Sequence, residues 1–401
     1  MAGCDVNLTA IRPRKPDAVD HHDSHRGLIH EVPVGPRVRA PVDAVIVPAA
    51  RPIGWLRDAV RLASELDATL VAMCSKSVRS HEVRSLAPPV RLRTVAVDVA
   101  RGSGLLPALA TDDLLKDSEY DCETDTSTKR NLALLLCRMV GWRRVLFLDD
   151  DIVGVNASDA LSAAALLKTN SEHWGYDAVG LRNIGFPDNS VVCHANRALG
   201  SNQAEFVGAG ALAVAPLQTT SFFPSIYNED WFFLLGISRP PRVAVTGSMQ
   251  QRQYDPFADP IRARREEFGD CMAEGIYRLL DQQLPLDNVT IEYWRWFIKK
   301  RKKFIGRLLA RTRSRARSIE NWSSYVASLE AAHDVVKDID PRLCAEYFER
   351  WHTDLLIWRR FLSWVRTNIG VDEALDILRL VEPPSIRPIL ERGLQGTVNV
   401  Y

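Results

Sequence analysis

The chain has 401 residues, room for two or three domains of about 150 residues each. Its 51 Lys and Arg against 50 Asp and Glu leave a net charge of +1, so no nucleic-acid partner is expected and any basic surface must be local. Seven cysteines, an odd number with no CxxC pair, argue against a disulfide framework or a zinc ribbon and fit a reducing cytosol. The sequence shows no leading apolar segment and no run of the ~18 apolar residues that a membrane span needs, so a soluble cytoplasmic protein is expected.

Residues 1–41 carry five prolines, scattered charge and His21, His22, His25 and His30 without apolar periodicity, which reads as a disordered tail. A metal-binding role for these histidines is the less favoured reading. From 42 to 286 strand and helix patterns alternate. Asp43 to Pro48 reads as a strand, followed by a helical stretch through Trp55, Leu56, Val60 and Leu66. Thr69–Cys74 and Val90–Val97 are the next strands, and β–α–β order implies a parallel sheet.

Leu132 to Val140 is apolar at helical spacing, with Ser127 or Thr128 as cap and Gly141 as stop. Val145-Leu146-Phe147-Leu148 then ends in Asp149-Asp150-Asp151. Four apolar residues bounded by charge read as a parallel strand covered on both faces, and open α/β sheets bind ligands just outside such strand ends. Asp149 and Asp151 flank one residue and can converge on a hard cation, Mn²⁺ or Mg²⁺, which prefers oxygen ligands and points to a diphosphate substrate. Later strands are expected at Ala178–Leu181, Ala211–Ala215 and Val243–Thr246, with Gly208 and Gly210 allowing close backbone approach to a ligand.

Residues 287–401 read as helical. Basic residues crowd from Arg295 to Arg317, including Lys299, Lys300, Arg301, Lys302 and Lys303, while Trp294, Phe297, Ile298, Ile305 and Leu308 share one side. Such a helix either packs its aromatic side on the preceding domain or lies peripherally on an anionic membrane.

These residues resemble the nucleotide-sugar-dependent glycosyltransferases of the GT-A fold, most closely family 2. Lys129-Arg130-Asn131, a helix, and Gly141 to Asp151 are similar to that family's Arg-Asn helix leading into its DxD strand. Ile46-Val47-Pro48 is similar to its first strand, whose end touches the nucleotide. Asn228-Glu229-Asp230-Trp231 resembles its acidic-pair motif, in which the Asp after Glu is commonly the base of an inverting enzyme. The resemblance covers residues 42–255. It implies an α/β, mostly parallel, Rossmann-like sheet flanked by helices, with an all-helical C-terminal extension.

It further implies a nucleotide-diphosphate sugar donor, an acceptor hydroxyl left open, and a divalent metal on Asp149 and Asp151. Pro48, Ala49, Arg51, Lys129, Arg130, Asn131, Asp149, Asp150 and Trp231 are the implied donor contacts, with Asp230 as base and Glu229 orienting hydroxyls. Two departures stand out. Ser75-Lys76-Ser77 occupies the place where many relatives carry an acid near the nucleotide base, and no histidine follows Asp230 until the C-terminal part, so Gln250, Gln251 or water must complete the metal shell.

Other readings of the same residues are open. Asn228 to Trp231 also fits a helix N-terminus with acids in its first turn, Lys129-Arg130 a solvated helix end, and His194 a hydrogen-bonded structural residue. Asp149-Asp150-Asp151-Ile152-Val153 fits the nucleophile motif of haloacid dehalogenase-like phosphatases, although that nucleophile normally follows the first strand of its domain. A non-catalytic protein that binds anionic surfaces through the basic helix is the third reading.

Overall fold

A computed structural model of the protein describes residues 25, 29–32, 38–86, 92–169, 175–187, 189–201, 207–237, 242–315 and 321–380. The strands are β1 (Ile29–Glu31), β2 (Ala44–Ala49), β3 (Thr69–Cys74), β4 (Thr94–Asp98), β5 (Val145–Leu148), β6 (Ile152–Val153), β7 (Ala178–Asn183), β8 (Ala211–Val214) and β9 (Val243–Gln251). Between them run α1 (Arg57–Glu65), α2 (Ser80–Ser85), α3 (Ala110–Leu115), α4 (Thr126–Val140), α5 (Ala157–Leu166), α6 (Val191–Ala198) and α7 (Glu229–Ile237). The remainder is helical: α8 (Pro260–Asp281), α9 (Ile291–Ser314), α10 (Trp322–Asp338), α11 (Pro341–Trp364) and α12 (Val371–Ile377).

The sheet runs β1-β9-β7-β8-β5-β2-β3-β4, with β6 paired to β9 off this path. β8 is antiparallel to both β5 and β7, and the other neighbours along the path are parallel. The protein is therefore α/β, with a mixed, mostly parallel sheet flanked by helices. β2 shows how alternate residues build the two sides. Ala44 and Ile46 enter one core with α4, α7 and the C-terminal helices, while Val45, Val47 and Ala49 enter another with α1 and α5. A strand buried on both faces is largely apolar, and β2, β3 and β5 are, with the buried Thr69 at the start of β3 the one polar residue among them.

The helical region shares the first of these cores. Trp294, Trp351 and Trp358 belong to the same cluster as Ile46 and Phe147, and α8, which precedes residue 287, packs with them. No helix among the described residues is long and apolar enough to cross a membrane.

Several expectations need correction. α4 begins at Thr126 after Asp125, not at a Ser127 or Thr128 cap, and Ser127 instead donates to the Pro224 carbonyl at 2.7 Å. Gly141 ends the helix in the left-handed conformation (φ 86°), as its spacing suggests. Arg301 does not join the exposed basic face of α9. Lys299, Lys300, Lys302 and Lys303 are exposed, whereas Arg301 is buried with Trp294, Phe297, Ile298, Ile305 and Leu308. Cys74 and Cys137 are buried free thiols, as their apolar surroundings suggest.

The expected disordered tail also fails in part. Ile29–Glu31 pairs with β9, Ile29 opposite Val243, and His25 is buried. The remainder of residues 1–24 lies outside the described residues, and with it His21 and His22. His25 stacks on Tyr277 at 4.6 Å, meets Trp231 edge-on at 4.2 Å, and accepts the Val207 amide at Nδ1 (3.0 Å). Accepting that amide requires an unprotonated Nδ1, and burial lowers the ring's pKa to about 3.

A depressed folded-state pKa gives stability that is present above 6.5 and lost as pH falls from 6.5 towards 3. The slope is about 1.4 kcal/mol per pH unit for one such group. Replacing His25 with Gln, which can still accept from Val207, should flatten the acid limb of chemical-denaturation stability plotted against pH. An unchanged slope would show that His25 titrates normally.

Candidate active site

β5 delivers its three aspartates to the carboxyl end of the sheet, and neighbouring elements give each a different task. Asp150 is buried and accepts the Ala50 amide at 2.8 Å and the Arg51 amide at 2.9 Å, clamping the turn that follows β2. The Arg51 guanidinium also pairs with Asp150 and reaches Asp151 at 2.9 Å. Asp149 accepts the Arg130 guanidinium with both oxygens, at 2.8 and 2.9 Å.

The end of β9 closes around Asp151. Ile152 of β6 pairs opposite Gln251, the Arg252 amide donates to the Asp151 carbonyl at 2.9 Å, and the Gln251 side-chain amide donates to the Asp151 carboxylate at 3.2 Å. Gln251 Oε1 is buried with no hydrogen-bond partner among the described residues. A buried acceptor left unsatisfied is costly, and a cation is one remedy.

Of the three consecutive α4 residues only Arg130 reaches this region. Lys129 is 1% exposed, and its ammonium donates to the Ala49 carbonyl at 2.8 Å and to Ser75 Oγ at 2.5 Å, with Asp125 at 3.0 Å. Burial lowers its pKa and Asp125 opposes that shift. Asn131 exchanges two hydrogen bonds with the Phe223 backbone, each 2.8 Å. Both residues join secondary-structure elements beneath the site, with their polar groups bonded within the protein. Ala49 is fully buried and contributes its carbonyl to Lys129.

Arg130 continues past Asp149 to pair with Glu229, so one guanidinium joins the end of β5 to the start of α7. Asn228 caps that helix, its carbonyl accepting the Trp231 amide at 3.1 Å and the Phe232 amide at 3.4 Å. Asp230 accepts the Ala209 amide at one oxygen and the Trp231 amide at the other, both at 2.9 Å. Burial raises the pKa of Glu229, Arg130 pulls it down, and Asp230 beside it pushes it up. The helix-start reading of the acidic pair therefore holds, and that helix start carries both acids to the wall of a cavity. Trp231 packs mainly between His25 and Tyr277 and is 5% exposed.

Three cavities lie along the carboxyl ends of the strands. One of about 140 Å³ is lined by Arg130, Asp149, Gly210, Glu229 and Asp230. A second of about 420 Å³ is lined by Pro48, Arg51, Asp149, Asp150, Asp151 and Gln251. A third of about 350 Å³ is lined by Ser75, Lys76, Asp98 and Arg101. Asp149 and Thr126 border the first and second, and Lys76 the second and third, so the three lie side by side as a trough.

Asp149, Asp151 and Gln251 line the same cavity, and their oxygens suit a hard cation. Two carboxylates already facing arginines fit a cation shared with a diphosphate better than one held by protein alone. His194 is not part of this set. It stacks on Phe186 at 5.0 Å with Nε2 3.4 Å from the Tyr254 hydroxyl, and burial lowers its pKa to about 3. Cys193, Asp270 and Glu274, all buried, bring ligand atoms within 4.8 Å of one another and form a second set that could hold a metal ion, with Arg301 also in contact with Asp270 and Glu274.

Asp270 and Glu274 also line the smallest cavity and were missed in the sequence. Their signal was the helical spacing of Glu266, Glu267, Asp270 and Glu274 along a buried stretch, an arrangement that demands internal partners. No protein-family profile matches this chain, and no curated protein matches it.

Proposed function

We propose that the protein is a metal-dependent glycosyltransferase of GT-A type that moves a sugar from a nucleotide-diphosphate sugar to an acceptor hydroxyl, with inversion. The carrying observation is Arg130, which joins Asp149 of the strand-end acids to Glu229 of the acidic pair across one cavity. Motifs far apart in sequence thus face one space at the carboxyl end of a largely parallel sheet, where such folds bind ligands. The reversed β8 and the helices on both faces support this architecture.

In this reading the donor lies along the trough, with its diphosphate in the cavity shared by Arg51, Asp149 and Asp151. A divalent cation bound there supplies Lewis-acid stabilisation of the leaving diphosphate. Arg51, whose side chain is 41% exposed, can exchange Asp151 for a phosphate oxygen, and Lys76 stands further along the trough. The sugar then sits beside Glu229 and Asp230. Two backbone amides hold the Asp230 carboxylate in place to take the acceptor's proton during attack, and Glu229 orients hydroxyls. A phosphatase in which Asp149 attacks phosphorus is disfavoured, because it would leave the acidic pair on the same cavity without a task.

Asp151→Asn keeps the shape of the side chain and removes its charge. Wild-type protein with Mn²⁺ and UDP or GDP at about 100 Kd should gain roughly 2.7 kcal/mol in thermal-shift stability, and the variant should lose most of that gain. Equal nucleotide affinity in the two proteins with Mn²⁺ present would contradict the assignment.

A further inference from the structure

The acidic pair is not supported by the sheet domain alone. Asn228 adopts a left-handed conformation, φ 63°, which is uncommon for a residue with a side chain. Its side-chain amide donates to Asp270 Oδ1 at 2.8 Å, and the other Asp270 oxygen accepts Arg301 at 2.9 Å. Arg301, 1% exposed at its side chain, is fixed in turn by Glu267 at 2.5 and 3.0 Å and by Glu274 at 2.9 Å. Gly269 allows α8 to lie directly on the Tyr227 carbonyl, where a Cβ would collide with it. α8 and α9 thus grip the two residues that immediately precede Glu229 and Asp230.

We propose that Asp270, fixed by Arg301 of α9, is a positioning residue that holds the Asn228 turn and thereby aims Glu229 and Asp230 into the cavity. The inference rests on the transferase reading for its effect on turnover, but its structural part stands apart from that reading. A carboxylate that both orients an amide and answers a buried guanidinium fixes the turn from two directions. Misplacement of a reacting group by about 1 Å can cost about 10²-fold in rate, so the helical region would govern the chemistry without touching the reacting atoms.

Two substitutions isolate the tether. Asn228→Gly keeps the left-handed backbone accessible and removes the side-chain donor, and Asp270→Asn keeps the shape while weakening the link to Arg301. Each should lower kcat for nucleotide-diphosphate release from a nucleotide sugar with Mn²⁺ by about 10²-fold, with little change in donor KM. The double variant should be no slower than the worse single variant, because both changes break one connection. Amide exchange at Trp231 and Phe232, the groups that bond to the Asn228 carbonyl, should accelerate in both single variants. Losses that multiply in the double variant, or unchanged exchange at these two amides, would overturn the proposal. If wild-type protein releases no nucleotide diphosphate, the transferase reading fails, and the exchange measurement still decides whether the tether exists.

Discussion

Asp230→Asn should lower turnover by about 10²–10⁴-fold, the usual contribution of general-base catalysis, while donor affinity stays near that of the wild type. Asp230 is on the cavity wall at the first turn of α7, and the Ala209 and Trp231 amides fix its two oxygens. An amide at this position can satisfy only one of those two donors, so a stability loss of about 1 kcal/mol is also expected. The rate loss is far larger than the fraction unfolded by such a change, which separates the two effects. Product configuration supplies a second check: inversion at the anomeric carbon, read by NMR, agrees with a base at Asp230, and retention would remove it from that role.

Arg301→Met should destabilise the fold by about 3–5 kcal/mol, a large share of the 5–15 kcal/mol typical of a domain. The guanidinium sits among Glu267, Asp270 and Glu274, all buried, and its loss removes the positive charge that the three carboxylates share. Burial pushes the Glu267 carboxyl up to about 7 even against the opposing pull of Arg301. Lys300→Met, one residue away on the exposed face, should change stability by less than about 0.5 kcal/mol. Urea unfolding of both variants checks the contrast, and equal losses would mean that the buried network contributes little.

The fold was legible where burial dictates residue type. Thr69–Cys74 and Val145–Leu148 have the same boundaries in the sequence pattern and in the structure, because strands covered on both faces are runs of almost wholly apolar residues. Ile29–Glu31 was not legible, since this short edge strand is exposed along most of its length and its partner β9 is remote in the chain. At the site, Lys129-Arg130-Asn131 looked like one functional unit. Successive residues of a helix point about 100° apart, so only one of the three can face the strand-end acids, and sequence alone does not say which. Arg301 lies on the same helical stripe as Trp294, Ile298, Ile305 and Leu308, which was readable, but the acids of α8 that admit a charge there were not assigned to it. Gln251 was among the candidates for the metal shell, and the β6–β9 pairing is what brings it beside Asp151.

The most direct measurement is phosphorus NMR of UDP- and GDP-hexoses incubated with the wild-type protein and Mn²⁺. A nucleotide diphosphate should appear, by transfer or by slow hydrolysis, and only when the metal is present. Release of inorganic phosphate in its place, or an intact donor in every incubation, would contradict the transferase reading.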